Sequence, residues 1–169
     1  DHRDLHYPLR RERQMCIRDR MKTDDPIKKA QEVMKLIPHR YPFLLIDKVI
    51  DIKKNESATG IKNVTVNEPY FPGHFPTLSV VPGVLQIESL AQTAAVLVAK
   101  SLDISDSSAL VLLTTIDNAK FRRPVTPGDV MSLSITVQKM RNKLWKFEGE
   151  VIVNSQKMSE CEFSAMMRI

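Results

Sequence analysis

The chain has only two cysteines in 169 residues. That is too few for a disulfide framework, and their spacing suits no metal site. A reducing compartment fits. Cys161 falls in a strand-like alternation, where a buried free thiol is expected. Long apolar runs are also missing. The longest lies around Ala94–Ala99, far too short to span a bilayer. Charge of one sign is scarce: the net charge of +5 favours acidic partners weakly and does not imply nucleic acid. No repeat or low-complexity tract is visible, and the length suits one domain with a real core.

The first twenty residues, "DHRDLHYPLRRERQMCIRDR", carry six arginines, four acids and no apolar periodicity. They lack the apolar centre of a signal peptide, and they are too acidic for an amphipathic leader. "QMCIRDR" resembles the translated end of a sequencing-library transposon. Residues 1–20 are therefore expected to be a foreign extension, with Met21 the natural start and one domain over 21–169. Cys16, His2 and His6 then carry no function.

Asp24-Asp25-Pro26 reads as a helix start. Ile27, Ala30, Met34 and Ile37 continue it at helical spacing, predicting a short helix over about 26–36. Strands are predicted over 43–52 and 57–66. The segment 85–102 is rich in Ala, Leu and Gln and apolar on nearly every face, so it predicts a buried helix that something must wrap. Further strands are predicted over 109–116, 118–125, 130–141, 144–153 and 160–167, with a Pro-Gly turn at Thr126–Asp129. Trp145, Phe147, Gly149, Val151 and Val153 share one strand face, as do Cys161, Phe163, Ala165 and Met167. The expected fold is α+β, an antiparallel meander curled around one central helix.

What is abundant is backbone stiffening in one place. "PYFPGHFPTLSVVPGV" (69–84) holds four of the ten prolines and two of the five glycines. His74 sits in the middle, a natural proton acceptor near neutral pH, although a lone loop histidine is more often structural. Pro82-Gly83 opens the long helix, so the Gly83 amide lacks an intrahelical partner and suits a developing oxyanion. It also suits a plain helix start. Glu88 has mostly uncharged helix neighbours, and desolvation there would favour its protonated, proton-donating form. The bland reading is that Glu88 marks the helix's exposed edge. Together the three supply a base, an acid and an oxyanion donor. That set suits removal of a proton beside a carbonyl with departure of a hydroxyl one carbon further on.

"IPHRYPFLLIDKV", "YFPGHFP", "VPGVLQIESLAQTAAVL" and "KFRRPVTPGD", in this order, resemble the 3-hydroxyacyl-[acyl-carrier-protein] dehydratase family of bacterial type II fatty-acid synthesis, over essentially all of residues 27–169. The resemblance implies a hot-dog fold and dehydration of (3R)-hydroxyacyl carrier thioesters to trans-2-enoyl thioesters. It implies His74 as base, Glu88 as acid and the Gly83 amide on the thioester carbonyl, with Phe75 and Val84 beside the substrate. Glutamate at the helix position favours the plain dehydratase over the dehydratase–isomerase, which carries aspartate. No metal or other cofactor is implied. The family pairs the histidine of one subunit with the acid of the other, so a homodimer or a trimer of dimers is expected, without nucleic acid or membrane. The loop Thr77-Leu78-Ser79-Val80-Val81 departs from the usual G-K-P-V-M, which bears on chain-length preference.

The basic run Lys120, Arg122 and Arg123 reads either as a solvated strand face or as a rim that docks an acidic acyl carrier protein. "IPHRYP" (37–42) reads as a structural turn, and His39 as structural, since no acid lies near it in sequence. A thioesterase of the same fold, a non-catalytic acyl-binding module and a CoA-dependent hydratase are the competing readings. The histidine loop with Glu88 disfavours the first. The retained trio disfavours the second, and the absence of an Asp-x-Asn-x-x-His motif disfavours the third.

Overall fold

The computed structural model describes residues 29–107 and 110–168. The extension expected over 1–20 and the helix start expected at Asp24-Asp25-Pro26 lie outside these residues. Helix α1 is Ala30–Leu36 and buries Val33 and Leu36. Lys29 is extended (φ −130°, ψ 142°), so a helix running on from residue 26 is interrupted there.

Six strands form one antiparallel sheet: β1 (Lys48–Lys53), β2 (Ser57–Asn63), β3 (Leu110–Phe121), β4 (Val130–Arg141), β5 (Leu144–Val153) and β6 (Gln156–Arg168). Their order across the sheet is β1-β2-β4-β5-β6-β3. Only β1–β2 and β4–β5–β6 follow chain order, so the expected meander is broken at β3. The long helix α2 (Gly83–Ser101) lies between β2 and β3 in sequence, and after it the chain re-enters the sheet at the far edge, beside β6.

Two strand expectations change. The strand predicted from residue 43 begins at Lys48. Upstream, the Gln92 side chain takes the Leu45 N–H and the Phe43 carbonyl, so those backbone groups are committed elsewhere. The two strands predicted over 109–116 and 118–125 are one strand ending at Phe121, with Asn118 at φ 53° and a register break against β6 between Asp117 and Lys120. Asparagine tolerates that left-handed backbone, so the strand bends at it and continues.

Helix α2 is buried from Gln86 to Ala99 at every position except Glu88. The sheet curls round it, and the alternating face of β5 packs inward. Trp145, Phe147 and Phe163 are fully buried and stack in sequence at 6.1 and 5.2 Å. Burying each such ring is worth roughly 1.5–3 kcal/mol. Cys161 is buried, and burial pushes its thiol up to about 11, as an inert core thiol requires. The Thr126–Asp129 turn closes as expected, with Asp129 N–H donating to Thr126 O at 3.1 Å and Gly128 at φ 99°. No helix among the described residues is long and apolar enough to cross a membrane.

Candidate active site

The proline-rich segment is a stack of tight turns. Gly73 N–H reaches Tyr70 O, His74 N–H reaches Phe71 O, and Phe75 and Leu78 exchange both backbone bonds. Phe71 is buried and anchors the loop to the core. Val80 N–H returns to His74 O at 3.1 Å, and Val81 N–H crosses to Val125 O at 2.8 Å. The His74 ring is held by the same loop: Nδ1 lies 2.7 Å from Val80 O. A carbonyl only accepts, so Nδ1 carries the hydrogen and Nε2 is the bare nitrogen. Phe75, half exposed, stacks on the imidazole at 4.2 Å.

Nε2 belongs to a ring that lines a cavity of about 530 Å³, shared with Gly83, Val84, Phe121, Arg122 and Arg123. Pro82 caps α2, and its carbonyl takes the N–H groups of Leu85 and Gln86. The Gly83 N–H, one turn too early for an intrahelical acceptor, stands at this cavity at the positive helix end. A Cβ on Gly83 would lie 2.6 Å from Phe121 Cε1. The glycine therefore admits the protein's own aromatic ring as well as any ligand. Phe121 was not singled out from sequence, because nothing local ties it to a helix start 38 residues earlier.

Glu88 is not surrounded by apolar groups as the sequence suggested. Its Oε1 accepts from Gln92 Nε2 at 3.0 Å and lies 3.4 Å from His39 Nε2. Its side chain is 19% exposed, between the buried and the exposed-edge readings. Val84, one of the expected neighbours, is largely exposed instead. His39, with no acid near it in sequence, is thus brought to one in space. Gln92 carried a signal in sequence: it follows Glu88 by four residues and so sits on the same helix face.

Among the described residues no hydrogen bond or ion pair joins His74 and Glu88 of one chain. Glu88 does not line the cavity that holds His74, and its contacts are to Gln92 and His39. The basic run divides too. Arg122 bonds to Glu160, and Lys120 Nζ stands 3.9 Å from the same carboxylate. Among the described residues only Arg123 of the three lines the cavity without an acidic partner. No group of three or more His, Cys, Asp or Glu side chains among the described residues is arranged to hold a metal ion.

A sheet curled round one buried helix, with a histidine loop closing on the helix start, defines a hot-dog domain. Residues 37–162 match the FabA-like domain family. The chain is 55% identical over 139 residues to the 3-hydroxyacyl-[acyl-carrier-protein] dehydratase FabZ of Cereibacter sphaeroides (strain ATCC 17025 / ATH 2.4.3), covering 82% of this chain and 90% of that one. It is 56% identical over 137 residues to the FabZ of Rickettsia typhi (strain ATCC VR-144 / Wilmington), covering 81% and 94%. Among solved structures, the dehydratase heterocomplex ApeI:P from Xenorhabdus doucetiae superposes with a TM-score of 0.70 at 20% identity, over 81% of this chain and 91% of that one; this likeness speaks to the fold. The chain belongs to the FabA-like family and, within it, to the 3-hydroxyacyl-[acyl-carrier-protein] dehydratases.

Proposed function

We infer that the chain is a hydro-lyase that removes water from (3R)-hydroxyacyl chains carried on acyl carrier protein, giving the trans-2-enoyl thioester in type II fatty-acid synthesis. The observation that carries the assignment of roles is the His74 ring. Its Nδ1–H is tied to Val80 O, so Nε2 is a bare base at the same cavity as the helix-end amide of Gly83.

The roles follow. Nε2 of His74 takes the proton from C2 while the Gly83 N–H stabilises negative charge on the thioester oxygen. The electron pair left on C2 forms the C2–C3 double bond as the C3–O bond breaks. Glu88 donates its proton to the departing hydroxyl, which leaves as water. His74 then holds the C2 proton and Glu88 is a carboxylate; return of one proton from solvent-exchangeable groups to Glu88 and release of the other resets both. Phe75 and Val84 flank the chain, and no metal or other cofactor takes part.

The acid belongs to a second copy of the chain. Among the described residues strand β3 pairs only with β6, so its other edge is open there, and it exposes Leu110, Leu112, Ile116 and Phe121. An open apolar edge invites a second strand, and a dimer, or a trimer of dimers, joined there supplies the missing Glu88. Arg123, with Lys120 and Arg122 beside it, forms the rim for an acidic carrier protein. The cytoplasm is the proposed location.

A subunit-mixing assay tests this reading. His74→Ala and Glu88→Gln homodimers are each inactive. Exchanged freely, half the dimers are mixed and each has one intact site, so dehydration recovers to about a quarter of wild type. No recovery on verified exchange refutes the cross-subunit site, and near-wild-type turnover by either single variant refutes its catalytic role.

A further inference from the structure

The acid has a neighbour that the reaction as written does not use. After α1, the Arg40 guanidinium donates to Met34 O at 2.9 Å, Ile37 O at 2.8 Å and His39 O at 2.7 Å. Those three bonds lock the turn that carries His39. From the other side, Gln92 is 1% exposed and fully committed. Its Oε1 accepts from Leu45 N–H, and its Nε2 donates to Phe43 O and to Glu88 Oε1. The His39 ring is set between these supports, stacked at 6.5 Å on Phe43, with Nε2 3.4 Å from Glu88 Oε1.

The tautomer follows from the far side of the ring. His39 Nδ1 is buried and has no hydrogen-bond partner among the described residues. A buried N–H without an acceptor is among the rarest defects in proteins. A hydrogen on Nδ1 would create that defect and would also turn a bare Nε2 lone pair toward a carboxylate oxygen. The hydrogen therefore sits on Nε2, on the side of the ring that faces Glu88 Oε1 at 3.4 Å, while Gln92 Nε2 donates to the same oxygen.

We propose that His39 is a positioning residue for dehydration and acts through Glu88. With Oε1 accepting from Gln92 and faced by the His39 N–H, the transferable proton of Glu88 is placed on Oε2. When that proton leaves with the C3 hydroxyl, the carboxylate is already met by the Gln92 amide, and the His39 N–H stands 3.4 Å away, ready to close on the new charge. The inference rests on Glu88 being the acid of the reaction.

Three variants of the full chain test it on a 3-hydroxyacyl carrier substrate. His39→Phe keeps a ring against Phe43 and removes the donor. His39→Gln puts an amide N–H near the place of Nε2. Glu88→Gln supplies the background in which His39 has nothing left to position. His39→Phe is expected to lower kcat roughly 10- to 100-fold with KM, melting temperature and oligomeric state unchanged. His39→Gln is expected to recover most of that loss. In the Glu88→Gln background the His39→Phe change is expected to cost nothing further. Should the Phe variant misfold, His39→Asn, too short to reach Oε1, serves in its place.

Wild-type kcat in a folded donor-less variant overturns the proposal. So does a Gln variant no better than the Phe variant, or a His39→Phe loss that persists in the Glu88→Gln background. The two readings fail separately. If Glu88→Gln alone turns over at the wild-type rate, the acid assignment falls and takes the His39 role with it. If Glu88→Gln is crippled while His39→Phe is not, only the role of His39 falls.

Discussion

His74 and Glu88 are held in place by opposite means. The His74 imidazole is fixed by a carbonyl six residues away, in a loop whose turns are closed by its own backbone. The Glu88 carboxylate is met by Gln92 on its own helix and by His39 from the turn after α1. Gln92 in turn is tied to Phe43 and Leu45, each more than forty residues distant. One station is local and made of main chain; the other is assembled from three parts of the sequence by side chains. A local station should lose chemistry without losing fold. A distributed one should lose both together where the side chain removed also holds backbone in place, as Gln92 does.

The largest expected effect separates those outcomes most cleanly. His74→Ala removes the proposed base and is expected to cost about 10²–10⁴-fold in kcat. Only one ring hydrogen bond is lost from a loop that its backbone closes, so the stability change is held to about 0.5–1.5 kcal/mol. Enoyl formation by absorbance and a denaturant melt on the same sample check both. A collapse of stability would mean that the loop depends on its histidine.

Gln92→Leu comes next and should behave differently. It strands the Leu45 N–H and the Phe43 carbonyl and takes one donor from Glu88. Two unpaired backbone groups are expected to cost about 2–5 kcal/mol, seen as an earlier unfolding midpoint, together with a fall in kcat. A variant that keeps wild-type stability would show that Gln92 does not hold the Phe43–Leu45 backbone in place.

Gly83→Ala probes the wall of the cavity that holds His74. The added methyl would sit 2.6 Å from the Phe121 ring, and forcing a ring aside is expected to cost about 1–3 kcal/mol. Phe121→Ala in the same chain should return part of the loss of the double variant, read as non-additivity in unfolding free energy.

The smallest effect lies on the rim. Hydrogen bonds from Lys157, then from Arg122, hold the Glu160 carboxyl down to about 2, below its ordinary 4.5. A depressed acid contributes its stabilisation in full above the unfolded value of about 4.5 and loses it as pH falls through about 2. An NMR titration of the Glu160 carboxyl checks it, and a midpoint near 4.5 would refute the pairing. Glu160→Gln removes this part of the acid sensitivity and frees Arg122, which should tighten carrier-protein binding modestly at low salt.

The same contrast explains what was legible beforehand. Strands 130–141 and 144–153 were read to the residue, and α2 to within two, because alternation and helical periodicity are written in neighbouring positions. His74, Gly83 and Glu88 stood out through their local settings of proline, glycine and an otherwise apolar helix. The strand predicted from residue 43 failed because Gln92, far along the chain, takes its backbone groups. Lys120 and Arg122 looked like a free basic run until β6 brought Glu160 beside them.

The sequence alone determined the class of fold and most element types, and it singled out the residues proposed for the chemistry, since each depends on the period and composition of a short window. Tertiary structure alone decided which nitrogen of His74 is bare, what occupies the space beside Gly83, and that Glu88 meets Gln92 and His39 instead of hydrocarbon. It also decided that His74 lines a cavity that Glu88 of the same chain does not. Those outcomes depend on atoms brought within a few ångströms from distant positions, and the curl of the sheet around one helix sets which atoms those are.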